Sequence, residues 1–139
     1  MEKIRVMLDK GAKMPTRAHR DDAGLDIYSP IDCFIPAHGS VVIDSGVHMV
    51  IPRGYVGVLM SKSGLNVKFG LTGEGVIDSG YVGSIKVKLY NNSNRDYGVA
   101  QGDKIIQLVL FPIVTPYVEI VDAIPFTDRG ENGFGSSGR

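Results

Sequence analysis

Glycine and proline interrupt this chain so often that long helices have no room to form. The 139 residues include 18 glycines and 7 prolines, and the glycine share of about 13% compares with a usual value of about 7%. Most of these residues separate short apolar runs, which is typical of turns between strands. Only residues 63–69 could form one or two helical turns. Many short strands joined by such turns predict a sandwich, a barrel or a jelly roll.

Alternation of apolar and polar residues marks the strands, because successive side chains of a strand point to opposite faces. Residues 84–91 are the clearest case, since three apolar residues there alternate with polar ones. Residues 41–43 and 47–51 predict two strands around a turn at 44–46. Further strands are predicted at 3–6, 55–60 and 105–111.

The composition excludes several classes of protein. The 15 basic and 15 acidic residues balance, so the broad positive surface of a nucleic-acid or anionic-membrane binder is absent. One cysteine, Cys33, rules out an internal disulfide or a cysteine-based zinc cluster. The longest apolar run is too short to span a bilayer, and residues 1–10 carry too many charges for a secretory signal. We therefore expect a soluble, cytoplasmic single domain.

Two polar segments precede the middle of the chain. Asp21, Asp22 and Asp26 suit either a solvated turn or an oxygen site for a hard cation such as Mg²⁺. The segment 61–65, Ser-Lys-Ser-Gly-Leu, combines two hydroxyls, a cation and a glycine at a predicted helix start. That combination suits a phosphate, although an ordinary helix cap has the same residues. The segment lacks the upstream glycine of a P-loop.

Two further segments contain polar residues among apolar ones. Asp78 follows two apolar residues and lies among glycines on a predicted hairpin, where it is either a turn aspartate or a general base in a pocket. Gln107 interrupts an apolar strand on the same predicted face as Ile105 and Val109, so its amide is expected to be buried or to reach a ligand. The three histidines have no metal-ligand spacing and are predicted at the surface.

The last residues differ from the rest in composition. Residues 129–139 contain four glycines and two serines, a composition typical of a flexible terminus. Phe134 lies between glycines, where the backbone could approach a ligand while the ring stacks on a flat group. We predict a folded domain over residues 1–126 and a flexible arm over 127–139.

Taken in order, these segments resemble the five motifs of the homotrimeric dUTPases. Residues 23–26, 61–65, 75–83, 102–108 and 129–138 are similar to the first to the fifth motif, respectively. The resemblance implies a β-jelly-roll subunit with a glycine-rich C-terminal arm, and a trimer with three active sites shared between subunits. It also implies hydrolysis of dUTP to dUMP and pyrophosphate with Mg²⁺, which limits uracil incorporation into DNA and supplies dUMP for thymidylate synthesis.

The resemblance assigns a role to each motif. It implies that Asp78 is the general base that activates the attacking water, that Tyr81 stacks under the deoxyribose, and that Asp26 acts on Mg²⁺ through water. Phe134 is implied to cover the uracil as the arm closes from a neighbouring subunit. The substrate-binding residues that it implies are Lys62, Ser63, Gly64, Thr72, Gly75, Val76, Ile77, Tyr81, Lys86, Gln107, Arg129, Phe134, Gly135 and Ser136.

The chain departs from the family pattern at three positions. Lys62 stands where the second motif usually has arginine, and lysine lacks the planar fork that grips phosphate. Thr72 stands where many relatives have a uracil-contacting asparagine, and Asn132 replaces a common glycine. Two alternative functions stay open: that of a dCTP deaminase-type relative of the same fold, and that of a regulatory binding protein switched by dUTP.

Overall fold

The computed structural model describes residues 3–138, and in that part of the chain the fold is built from ten strands and one short helix. The helix, α1, spans Ser63–Phe69 and confirms the predicted helical turns. The strands are β1 (Arg5–Leu8), β2 (Gly24–Tyr28), β3 (Cys33–Ile35), β4 (Ser40–Val50), β5 (Tyr55–Met60), β6 (Leu71–Thr72), β7 (Glu74–Ile77), β8 (Ser84–Asn91), β9 (Tyr97–Val99) and β10 (Lys104–Pro112).

The strands form two four-stranded antiparallel sheets and a two-stranded ribbon. The first sheet has the order β1-β4-β8-β6, the second has the order β2-β10-β5-β7, and β3 pairs with β9. Most neighbours in a sheet are distant in sequence, so the chain crosses between the sheets repeatedly, as in a jelly roll. The predicted all-β architecture is confirmed.

Apolar side chains from both sheets pack into one core. In β8, Ile85, Val87 and Leu89 are buried while Lys86 and Lys88 are exposed, as the alternation predicted. The other sheet contributes the fully buried residues Ile27, Ile106 and Leu108. No helix in residues 3–138 is long and apolar enough to cross a membrane.

The predicted turn at residues 44–46 is wrong, because β4 runs without reversal from Ser40 to Val50. The chain forms a bulge there, and the pairing with β8 shifts register between Asp44 and His48. The buried Ser45 hydroxyl donates a 2.6 Å hydrogen bond to the Ile85 carbonyl and accepts one from the Val47 amide. The Ser45 side chain therefore provides hydrogen-bond partners for the backbone groups at the bulge, and no turn is needed there.

Ser45→Ala is expected to destabilise the fold by about 1–3 kcal/mol, since it leaves the buried Ile85 carbonyl without that donor. Chemical denaturation measures the change in unfolding free energy. The matched control is Ser40→Ala at the exposed start of β4, for which we expect a change within about 0.5 kcal/mol. Equal effects of the two substitutions would contradict this role of Ser45.

The predicted hairpin around Asp78 is also wrong. β7 pairs with β5 in one sheet, whereas β8 pairs with β4 and β6 in the other. Residues 78–83 therefore connect the two sheets. We call them the 78–83 connection.

The chain leaves the packed body after β10. The Ile113 amide donates to the Gly54 carbonyl, and every described residue from 113 to 138 is exposed. Large apolar side chains are among them, including Tyr117 and Ile120 at 104% and 95% exposure. The division into a domain over 1–126 and an arm over 127–139 stays a prediction.

Candidate active site

The candidate site has several parts, and the first is centred on the buried carboxylate of Asp26, which contacts two lysines. Asp26, on β2, has only 7% of its side chain exposed. Its Oδ1 accepts a hydrogen bond from Lys62 Nζ, and its Oδ2 lies 3.2 Å from Lys104 Nζ. The hydrogen bond with Asp26 raises the pKa of Lys104. Asp22 also contributes to the raised pKa of Lys104, so two ammonium groups stand against two carboxylates here, and the ammonium groups are the partners that the cluster offers to an anion.

Gln107 lies beside this cluster, directly opposite Asp26 in the β2–β10 pairing. Its Nε2 donates a 3.0 Å hydrogen bond to the Ser61 carbonyl. A Cβ atom on Gly24 would lie 2.2 Å from Gln107 Oε1, so this position requires glycine if the amide is to stay where it is. The prediction that Gln107 shares a strand face with Ile105 is wrong. The β2–β10 pairing shifts register between Lys104 and Ile106, and the side chains of Ile105 and Ile106 are both buried.

The start of α1 adds the exposed residues Ser63 and Gly64 to the same region. Lys62 occupies the N-cap position in an extended conformation and makes no side-chain capping bond. The Ser61 hydroxyl instead exchanges hydrogen bonds with Gly73, at 3.2 Å to its carbonyl and 3.0 Å from its amide. The Thr72 hydroxyl accepts a 3.0 Å bond from Asn92 and lines a cavity of about 270 Å³ with Ser61.

The second part of the candidate site is the 78–83 connection. Asp78 is exposed, and its carbonyl accepts a 3.0 Å bond from the Tyr81 amide. The Tyr81 hydroxyl donates a 2.8 Å bond to the Ser84 carbonyl, which folds the ring over Gly83. A Cβ on Gly83 would meet the Tyr81 ring at 2.6 Å, so glycine is required there to leave room for the aromatic ring.

The strands on either side of the connection carry the other residues of this part. Gly75, Val76 and Ile77 form most of β7, where Val76 is 66% exposed and Ile77 is buried. Lys86 is exposed on β8 opposite Asp44. A hydrogen bond from the Ser84 hydroxyl lowers the pKa of Asp44.

Within one subunit, the two parts of the candidate site are separated along the β5–β7 pair. Asp78 directly follows Ile77, which pairs with Gly57, whereas Lys62 lies two residues after Met60, which pairs with Glu74. The two pairs are three residue steps apart along β5, which is roughly 10 Å at about 3.3 Å per step. Asp78 and Lys62 therefore lie at opposite ends of the β5–β7 pair.

Residues 129–138 form a third group, which is exposed throughout. Arg129 Nε donates a 2.9 Å bond to the Asn132 carbonyl, and Phe134 is completely exposed. Gly135 and Ser136 lie in turns of the same segment, where the Ser136 amide bonds the Gly133 carbonyl. The hydrogen bonds found for residues 127–138 all join this segment to itself.

The family model for dUTPase matches residues 10–138 of this chain. The chain belongs to the dUTPase family. The deoxyuridine 5'-triphosphate nucleotidohydrolase of Yarrowia lipolytica is 44% identical over 136 residues, covering 96% of this chain and 87% of the relative. That of Paramecium bursaria Chlorella virus 1 is 42% identical over 132 residues and covers 94% of each chain.

Solved dUTPase structures have the same fold. The dUTPase of Staphylococcus bacteriophage 80alpha with dUpNHpp matches at a TM-score of 0.93 and 33% identity, over the full length of both chains. A mutant dUTPase from phage phi11 of S. aureus, whose structure details the coordination of a structural Mg(II) ion, matches at 0.82 and 32% identity. It covers 90% of this chain and all of that one. The resemblance inferred from the five motifs is confirmed.

Sequence reasoning missed several residues of this dUTPase site. Lys104 lies in the fourth motif without a predicted role, although a lysine three residues before Gln107 could have suggested a cation beside the amide. Ser61 contacts Gly73, and Ser84 contacts Asp44. Both partners are distant in sequence, so no local pattern predicts either contact.

Proposed function

We propose that this member of the dUTPase family hydrolyses dUTP to dUMP and pyrophosphate in the cytoplasm. The observation that carries the proposal is the 42–44% identity, over nearly the whole chain, with relatives named for this reaction. The two lysines around Asp26 supply the positive charge that a triphosphate requires. Phosphoryl transfer depends mainly on such charge neutralisation and on positioning of the reacting groups.

The first part of the site is proposed to bind the phosphates. Lys62 and the exposed start of α1, at Ser63 and Gly64, hold the α- and β-phosphates, and the Gln107 amide lies beside them. Lys62 already contacts Asp26, so the incoming phosphate competes with that carboxylate for the ammonium. Lysine binds phosphate as a point charge rather than through a planar fork.

The 78–83 connection is proposed to carry the chemistry. Asp78 orients a water and removes its proton as the water attacks the α-phosphorus in line with the departing pyrophosphate. Its exposed carboxylate is open to such a water. Tyr81 stacks under the deoxyribose, and its ring is held over Gly83 by the bond to Ser84.

The uracil is proposed to be recognised by main-chain groups around Val76, Ile77 and Lys86, with Gly75 and Thr72 nearby. Fixed backbone donors and acceptors reject the exocyclic amine of cytosine, because the wrong base leaves polar groups unpaired. A close fit excludes the thymine methyl group.

A homotrimer with shared sites is proposed because one subunit holds Asp78 and Lys62 apart. A neighbouring subunit could supply the 78–83 connection to the phosphate-binding part of the site. The exposed apolar residues after β10, such as Tyr117 and Ile120, are the kind of surface that a subunit contact buries. The arm then brings Arg129 and Ser136 to the γ-phosphate, with Phe134 and Gly135 over the uracil.

Mg²⁺ fits this site only as an ion carried by the triphosphate. Both Asp26 oxygens contact lysines, and residues 3–138 contain no group of three side chains suited to hold a metal. Asp26 is therefore proposed to reach the ion through water. The ion would neutralise phosphate charge.

The test is release of pyrophosphate from dUTP, dCTP, dTTP and UTP, measured side by side with Mg²⁺. Release from dUTP alone supports the proposed reaction together with its base and sugar selection. Ammonia from dCTP would instead identify the deaminase-type relative. Binding of dUTP without release from any nucleotide would identify the regulatory binding protein.

Lys104→Met is expected to raise KM for dUTP by about five- to tenfold, the value of one ordinary hydrogen bond because the Lys104 side chain is partly exposed, with a smaller change in kcat. Without Lys104, the charge of Asp26 acts on Lys62 alone and holds it away from the substrate. Steady-state kinetics measures the effect. Lys68→Met, which makes the same charge change at the other end of α1, is the control. An unchanged KM in Lys104→Met would remove Lys104 from the phosphate site.

A further inference from the structure

His48 makes two hydrogen bonds that a neutral imidazole cannot make together. Its Nδ1 lies 2.8 Å from the Val82 carbonyl, and its Nε2 lies 3.0 Å from Asp9 Oδ1. A carbonyl and a carboxylate both accept, whereas a neutral imidazole has only one N–H to donate. Both contacts are satisfied only by the doubly protonated ring. Contrary to the surface prediction, the His48 side chain is 21% exposed and partly buried.

The Val82 carbonyl belongs to the 78–83 connection, which carries Asp78 and Tyr81. The connection is otherwise fixed at its C-terminal end, where the Ser84 hydroxyl bonds Asp44 and the Ser84 carbonyl accepts from Tyr81. The bond from His48 fixes the exposed Val82, near the C-terminal end of the connection, to β4. A displacement there would move both the proposed base and the proposed sugar platform.

We propose that His48, bridging Val82 and Asp9 with both ring nitrogens protonated, is a positioning residue for the 78–83 connection in catalysis. The proposal rests on the proposed dUTP hydrolysis, because the connection has this role only in that reaction. It assigns His48 no contact with substrate. Nothing in the five motifs includes this histidine.

The surroundings of His48 favour the charged ring. Asp9 follows β1 and Asp44 lies on the same strand as His48, while Arg5 on β1 lines the same groove. The hydrogen bonds to the Val82 carbonyl and to the Asp9 carboxylate both raise the pKa of His48. A raised pKa keeps the bridge intact below it, and the bridge is lost as pH rises through it.

Deprotonation is expected to break the contact with Val82 first. The single remaining proton stays on Nε2, because a hydrogen bond to a carboxylate is stronger than one to a neutral carbonyl. The Nδ1 lone pair then faces the Val82 carbonyl oxygen. The 78–83 connection therefore loses its anchor at high pH.

Two substitutions distinguish the contribution of Nδ1 from that of Nε2. His48→Asn places an amide donor near Nδ1, facing Val82, whereas His48→Gln places it near Nε2, facing Asp9. We expect His48→Gln to have a kcat/KM for dUTP about five- to tenfold below wild type at about pH 6, the value of one hydrogen bond. At a pH well above the pKa of His48 the wild-type ring is neutral, and there the two proteins should agree within about twofold.

His48→Asn should stay within about twofold of wild type at both pH values, because its donor to Val82 does not titrate. The control is His38→Asn, which alters a surface histidine bonded to Asn94 and should change neither value. Melting temperatures identify any variant that fails to fold. A ratio of wild type to His48→Gln that is the same at both pH values would overturn the proposal.

An NMR titration of the three histidines gives a second readout that needs no activity. The proposal predicts that the pKa of His48 lies above the ordinary histidine value, with both ring nitrogens protonated below that point. A pKa of His48 at or below the ordinary value would overturn it. If wild type releases no pyrophosphate from dUTP, the proposed function fails on its own, and the titration still reports whether the bridge exists.

Discussion

Asp78→Asn is expected to leave nucleotide binding intact while lowering kcat for dUTP by about two to four orders of magnitude, the range for loss of a general base. Asparagine has nearly the same shape as aspartate but cannot take a proton from the attacking water. Asp78 is exposed at the start of the 78–83 connection, so the change should leave stability nearly unaltered. Pyrophosphate release measures kcat, and calorimetry with dUpNHpp measures binding.

The control for charge is Asp32→Asn. Asp32 is exposed and accepts a bond from the Gln101 amide, which an asparagine oxygen can still accept. We expect its kcat to stay within about twofold of wild type, as for most surface substitutions. If Asp78→Asn kept kcat within a few-fold of wild type, Asp78 would not be the base.

Removal of residues 129–139 is expected to leave a folded trimer that is nearly inactive. The described part of this segment is exposed, and the hydrogen bonds found in it stay within residues 127–138, so its loss should not change the melting temperature. The site, however, loses Arg129 and the ring of Phe134, which are proposed to bind the γ-phosphate and to exclude water.

The matched control removes residues 137–139 only. It keeps Arg129, Phe134 and Ser136, and activity close to wild type is expected. Gel filtration, thermal melting and pyrophosphate release compare the two truncations. Full activity after removal of residues 129–139 would exclude the arm from the site.

Much of the fold could be predicted from local pattern. Alternation identified β8, and the breakers around residues 63–69 identified α1. The continuous course of β4 could not be predicted, because Asp-Ser-Gly is equally suited to a turn and to a bulge. The bond that decides between them joins Ser45 to Ile85, 40 residues away.

Residues of the candidate site could be predicted where a polar side chain interrupts an apolar strand. Gln107 in an apolar strand is such a residue, and it does lie beside Asp26. The contact of Lys104 with Asp26 follows from pairing between β2 and β10, strands nearly 80 residues apart. The roles of His48 and Ser84 likewise depend on which strands become neighbours, which local sequence does not encode.

Mixing of two inactive variants shows whether each active site takes its parts from more than one subunit. Asp78→Asn and the protein lacking residues 129–139, each nearly inactive alone, are unfolded, mixed equally and refolded, and tags of different size confirm the mixed trimers. If the base and the arm come from different subunits, random mixing leaves both intact in about one quarter of the sites. We therefore expect about that fraction of wild-type pyrophosphate release from the mixture. A mixture as inactive as its two components would contradict it.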